Sequence, residues 1–106
     1  MFDTPEADFS VGQLVQHRKF GYRGVIIDVD SRFLGSGGGD RNIAPSKPPR
    51  DRPWYHVLID GAAQRSYVAE RNLEPDTEGG PVNHPDISDY FLGLGEEGYI
   101  LRDKGH

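Results

Sequence analysis

The sequence predicts a mainly β domain of about five short antiparallel strands, with a long loop between the second and third and one short helix near the C-terminus. Three observations predict it. Apolar and polar residues alternate with period two in several runs of four to eight, turn-forming glycines and prolines separate those runs, and a helical period occurs in a single stretch near the end. The 106 residues suit one small domain; 35% are hydrophobic, and area scaling lets a chain of this length bury about two-thirds of its surface around one modest core.

In the first run, Gln13 to Arg18, Val15 and His17 share one face and Leu14, Gln16 and Arg18 the other. Lys19-Phe20-Gly21 offers a turn. Tyr22 to Asp30 then alternates Arg23, Val25, Ile27 and Val29 against Tyr22, Gly24, Ile26 and Asp28, the strongest strand pattern in the chain. Gly24 inside it marks a bulge or a close backbone approach. Residues 31–53 carry a glycine triplet and Pro45, Pro48, Pro49 and Pro53 with no period, and so form a long loop; loops of that length in small domains are usually either functional or disordered, and a mobile loop with a binding role is expected here. Trp54 to Asp60 and Gln64 to Glu70 read as a hairpin around Gly61-Ala62-Ala63, and residues 71–75 as a turn or short fifth strand. This places the core at about 9–75, followed by an acidic linker and helical tail at about 76–106 within one domain, 1–106. In that tail Pro85 suits a first helical turn, and Ile87, Tyr90, Phe91 and Leu94 fall at i, i+3, i+4 and i+7. Gly93 and Gly95 stop the helix, and Tyr99-Ile100-Leu101 is an apolar segment able to dock on the body.

Charge is unevenly placed. Residues 41–52 hold Arg41, Lys47, Arg50 and Arg52 against Asp51 alone, whereas residues 70–97 hold eight acids against Arg71 alone; the whole chain carries −5. The basic loop suits a polyanion and the acidic half opposes one, within a Debye length of roughly 8 Å. No apolar stretch approaches the roughly 18 residues of a membrane-spanning helix. The opening MFDTPEADFS has no basic segment ahead of an apolar one, so no secretory signal is expected.

Catalytic and metal chemistry find little support. With no cysteine there is no thiol nucleophile or disulfide framework. The four histidines lie far apart in the sequence, so no metal and no cofactor are expected, and His17 and His56 read as strand residues satisfied by backbone or carboxylate. The serines lack a nucleophile-elbow context, and Asp28 and Asp30 share a face as solvated acids at a strand end. Gly37-Gly38-Gly39 is not followed by Lys-Ser/Thr and is no phosphate loop. Trp54 and His56 point to one face of the third strand and Tyr55, Val57 and Ile59 to the other. That makes Trp54, beside Arg50 and Arg52, the best candidate for an exposed aromatic able to stack on a base.

Three segments, GQLVQHRKFGYRGVIIDVD at 12–30, PWYHVLID at 53–60 and SYVAERNLEP at 66–75, together resemble the heat-shock protein HspQ family, also called the YccV-like or hemimethylated-DNA-binding domain. The tail, with HPDISDYF, looks like the longer members of the group; the basic loop is peculiar to this chain. The resemblance implies a small, mostly antiparallel SH3-like β-barrel that assembles as a homo-oligomer, a trimer, and acts in the cytoplasm without catalysis. It implies two activities: binding of hemimethylated DNA, and enhanced degradation of substrates by a Lon-type protease. For the first, Arg41, Lys47, Arg50, Arg52, Arg18, Lys19 and Arg23 are the candidate phosphate contacts and Trp54 the candidate platform, while reading the methyl on adenine N6 needs an apolar pocket in the major groove. For the second, Ile87, Tyr90, Phe91 and Leu94 of the tail are the candidate partner contacts.

Overall fold

The computed structural model of the protein describes residues 7–33 and 52–102. Five strands appear where alternation places them: β1 (Leu14–His17), β2 (Arg23–Asp30), β3 (Trp54–Ile59), β4 (Arg65–Ala69) and β5 (Leu73–Pro75), with a 3-10 turn at Glu70–Asn72 before the last. They form one antiparallel sheet in the order β4-β3-β2-β1-β5. The sheet is open. β5 is three residues long, leaves β4 through the 3-10 turn and pairs with β1, so the two edge strands do not join, and the closed SH3-like barrel expected from the resemblance is not seen among the described residues.

The irregularity expected in β2 lies at Ile27, where the register with β3 shifts between Ile26 and Asp28. One extra residue moves every later side chain to the other face. Ile26 pairs with Val57 and Val29 with Tyr55, while Asp28 and Asp30 come opposite His56 and Trp54. Gly24 is the close approach instead: a Cβ there would stand 2.5 Å from both the Leu58 carbonyl oxygen and Val57 Cγ1.

Both faces of the sheet are buried. On the first, Phe9, Val15, Ile26, Tyr55, Val57, Val68 and Leu73 form one core cluster; Tyr55 Oη donates to Glu70 Oε1 at 2.5 Å and accepts from the Phe9 N–H at 3.3 Å. Burial, then the Glu70 carboxylate, pushes the Tyr55 phenol well above its usual range. On the second face Val25 and Leu58 are covered by Val82, Phe91 and Tyr99 of the C-terminal segment. Here the expected helix is corrected. Only one turn, α1 (Ile87–Tyr90), is helical, and Phe91–Gly95 is a strand, β6, paired with β7 (Gly98–Leu101) across a Glu96-Glu97 turn. Gly93 and Gly95 favour helix poorly, and as strands Phe91 and Tyr99 bring their rings to 5.1 Å on the sheet. Gly12 lets the hairpin come close: its carbonyl accepts from the Tyr99 N–H at 2.8 Å, where a Cβ on Gly12 would lie 2.5 Å from the Tyr99 oxygen. Of the expected tail contacts, Phe91 is therefore core, Ile87 and Tyr90 pack against that core, and Leu94, opposite Tyr99, is 39% exposed.

The linker before this hairpin is held by Arg23. Its guanidinium donates to Asp60 Oδ2 at 3.1 Å, to Asp76 Oδ2 at 3.2 Å and to the carbonyls of Gly79 and Gly80 at 2.7 and 2.9 Å. The Asp76 side chain is fully buried. Burial alone would raise its carboxyl; Arg23 and the Gly79 N–H outweigh that and hold it below the usual carboxylate range. Among the described residues no helix is long and apolar enough to cross a membrane.

Two outcomes follow from this packing. Gly24→Ala forces a methyl against a central strand and is expected to cost about 1–3 kcal/mol in urea unfolding, with the m-value unchanged. Asp76→Asn leaves Arg23 under-compensated in a buried site and is expected to cost about 3 kcal/mol. Since the native Asp76 binds its proton more weakly than in the unfolded chain, its contribution is complete above about pH 4 and lost as pH falls further. Thermal melts from pH 6 to pH 2.5 should therefore show a steeper fall for the parent than for Asp76→Asn.

Candidate nucleic-acid interface

Arg18 follows β1, Arg52 precedes β3, and Arg71 sits in the 3-10 turn, so three separate segments bring these cations to one place. Together with Asp8, Phe9, Ala69, Glu70 and Leu73 they line a groove of about 290 Å³. Pairing of β1 with β5 creates it: the Arg18 N–H donates to the Asn72 carbonyl at 2.8 Å, and Arg18 Nε to the Leu73 carbonyl at 3.1 Å. The rest of the Arg18 guanidinium stays solvated, with Glu74 Oε1 at 3.8 Å from Nη1. Glu70 faces inward in its chemistry, since one oxygen accepts from both Tyr55 Oη and the Asp8 N–H.

Beside Arg18 lies the tip of the β1–β2 turn, with Lys19 exposed and Phe20 76% exposed. His17 shapes it. Its Nδ1 accepts from the N–H groups of Lys19 and Phe20, both at 3.1 Å, and its ring stacks on Phe20 with centroids 4.6 Å apart. Burial, then Lys19, pulls the His17 pKa down, which keeps Nδ1 free of a proton to accept those bonds. The exposed aromatic next to cations is therefore Phe20, and Trp54 is corrected: it is 4% exposed, under the rings of Phe33 and Tyr67 at 4.8 and 5.1 Å. The Ile27 bulge turns Asp30, the cross-strand partner of Trp54, to the same face.

The other expected cations divide. Arg41, Lys47 and Arg50 lie outside the described residues, in the segment that leaves after Phe33 and returns at Arg52. Arg23 is drawn away from the groove into the linker. Arg71 was not singled out by sequence because it sits in the most acidic half of the chain, and only the β1–β5 pairing turns it toward Arg18.

On the opposite face, Asp28, Asp30 and His56 place one ligand atom each within 4.8 Å of one another. Spacing along the chain conceals this grouping, which the bulge and cross-strand pairing assemble. Two oxygens and an imidazole nitrogen can in principle hold a divalent cation. In the structure Asp30 Oδ2 accepts from Tyr67 Oη at 2.7 Å and lies 3.1 Å from His56 Nε2, while Asp28 Oδ1 accepts from the Val29 N–H at 2.9 Å.

With this geometry in place, the chain can be set beside known families. Residues 7–98, which take in the five-stranded sheet, the linker and all of β6, match the model of the family described as hemimethylated DNA-binding protein YccV like.

Proposed function

Because the chain belongs to the YccV-like family of hemimethylated DNA-binding proteins, we propose that it is a non-enzymatic regulator that grips a DNA duplex with the groove of Arg18, Arg52 and Arg71. The observation that carries this reading is the convergence of those three cations beside an exposed aromatic. Guanidinium groups bond phosphate oxygens in pairs and so position a duplex, though they do not specify its sequence. Lys19, exposed beside Arg18, extends the basic surface, and Arg41, Lys47 and Arg50 precede Arg52 in the sequence. Discrimination needs an apolar contact with one N6-methyl group in the major groove, and Phe20 supplies it in this reading, held in place by His17. A homotrimer, as in the HspQ resemblance, would present the groove three times and raise affinity by effective concentration. The working compartment in this reading is the cytoplasm.

A second reading is an HspQ-type adaptor that enhances degradation by a Lon-type protease. The apolar surface of the β6–β7 hairpin supports it, through Leu92, Leu94, Ile100 and Leu101.

Fluorescence anisotropy on unmethylated, hemimethylated and fully methylated duplexes, each at several salt concentrations, tests the first reading. The parent protein should prefer the hemimethylated duplex at physiological salt. Arg18→Ala and Arg52→Ala should each weaken all three complexes several-fold and alike, and lower the salt slope by about one. Phe20→Ala should level the three affinities while leaving the slope unchanged. Equal binding that vanishes at physiological salt would overturn the proposal and promote the adaptor reading.

A further inference from the structure

Among the described residues, four of the five exposed large apolar side chains stand on one short hairpin. Leu92 and Leu94 of β6 are 62% and 39% exposed, Ile100 and Leu101 of β7 51% and 52%. The hairpin is no frayed end, because Phe91 and Tyr99 anchor its inner side in the second core cluster. Its backbone carries the more specific signal. Leu94 lies directly opposite Tyr99, and Tyr99 sends its N–H away from β6 to the Gly12 carbonyl. In an antiparallel ladder both members of such a pair turn their backbone groups outward. The N–H and C=O of Leu94 therefore point from the outer side of β6, which has β7 as its sole strand neighbour among the described residues. Gly93 leaves the surface beside them open, since a Cβ there would meet nothing within 4 Å.

Charge selects what can lie there. From Asp86 to Leu101 the chain has four acids and no cation. Asp86 is neutralised by Arg65 at 3.2 Å, and Arg102 directs its Nε to the Ser88 carbonyl. Asp89 thus borders one end of β6 and Glu96 and Glu97 the other.

We propose that the outer edge of β6 captures an extended, cationic and apolar peptide segment of a partner protein by strand addition. The peptide backbone pairs with Leu94, alternate apolar side chains lie on Leu92 and Ile100, and its lysines or arginines meet Asp89, Glu96 and Glu97. A second copy of this chain would bring the same acids to the same edge, where like charges repel. The inference does not rest on DNA binding: Ile100 and Leu101 lie beyond residue 98, where the family match ends.

The test is anisotropy of labelled octapeptides with the full chain: one alternating valine with lysine, one alternating valine with glutamate, and the lysine peptide N-methylated on alternate backbone nitrogens. The lysine peptide is expected to bind at least tenfold tighter than either of the others. Ile100→Thr and Leu92→Ser should each weaken it several-fold with an unchanged melting temperature, and Glu96→Lys with Glu97→Lys should reverse the preference between lysine and glutamate. Equal binding of the N-methylated peptide would overturn the proposal in favour of charge alone. So would an absence of binding by a chain that light scattering shows to be oligomeric and that Ile100→Thr renders monomeric, since a second copy would then cover the edge.

Discussion

Every part of this fold leans on one constraint: the central strands of its sheet are apolar on both faces, so the second face must be covered by a segment that comes later in the chain. Val25 and Leu58 are fully buried beneath Val82, Phe91 and Tyr99. Covering them is worth about 1.5–3 kcal/mol per large side chain, enough to draw in a polar, glycine-rich tail that has little structural preference of its own. Arg23 decides where that tail enters. It stands on β2 beside Val25 and fastens the linker through Asp76 and the carbonyls of Gly79 and Gly80 while its other nitrogen holds Asp60. Asp60 in turn accepts from the Asn83 N–H at 2.7 Å, and His84 bonds the Gln64 carbonyl at 3.0 Å, so polar bonds pin the entry from both sides of the β3–β4 hairpin. Removal of residues 76–106 would thus uncover the sheet rather than delete an appendage.

Much of the sheet was legible because each strand is half or fully buried and writes that burial as alternation. β1 through β4 fall within the runs read from sequence, and the turns at Gly21 and Gly61 carry the positive φ that a glycine supplies. What alternation hides is its own interruption. A single extra residue at Ile27 sits inside an ordinary strand run, VIIDV, yet sends Val29 to the first core and Asp30 to the other face. The tail misled for a related reason. Phe91 and Leu94 lie at helical spacing from Ile87, but β6 carries a second register shift between Phe91 and Gly93, and an irregular strand can imitate a helical period over so few residues. Membership of the family was legible from motifs that stay contiguous in sequence, and a barrel inherited with it did not close because β5 spans only Leu73–Pro75.

The candidate interface was legible by charge and illegible by geometry. Arg18, Lys19 and Arg52 were named from the sequence, and two of them meet in one groove; Arg23, equally basic and close by in sequence, is withdrawn by a linker more than fifty residues away. Trp54 and Phe20 exchange roles on the same principle. Which aromatic is exposed depends on what covers it, and Phe33 and Tyr67 cover Trp54, whereas Phe20, stacked on the His17 ring, is 76% exposed among the described residues. No local pattern encodes such long-range covering.

An acidic protein can hold a polyanion if many of its acids are neutralised or kept at a distance from the basic surface, and among the described residues this fold does both, with Asp8 and Glu74 left beside the arginine groove. Arg23 neutralises Asp60 and Asp76, Arg65 pairs with Asp86, and Glu70 is turned to Tyr55 and the Asp8 N–H. The remaining acids of the tail, Asp89, Glu96 and Glu97, belong to the layer on the second face, whereas Phe9 and Leu73 of the arginine groove belong to the first core cluster. The sheet lies between them, and packed layers stand about 10 Å apart. The charged groups on both surfaces are solvent-exposed, and ions with a Debye length of roughly 8 Å at physiological ionic strength weaken the field of one at the other. The lining of the proposed DNA groove holds three arginines against Asp8 and Glu70, a local balance more positive than the −5 of the whole chain, while the proposed peptide edge at β6 is bordered by acids. The two-faced burial that forces the tail onto the sheet is therefore also what separates the two fields.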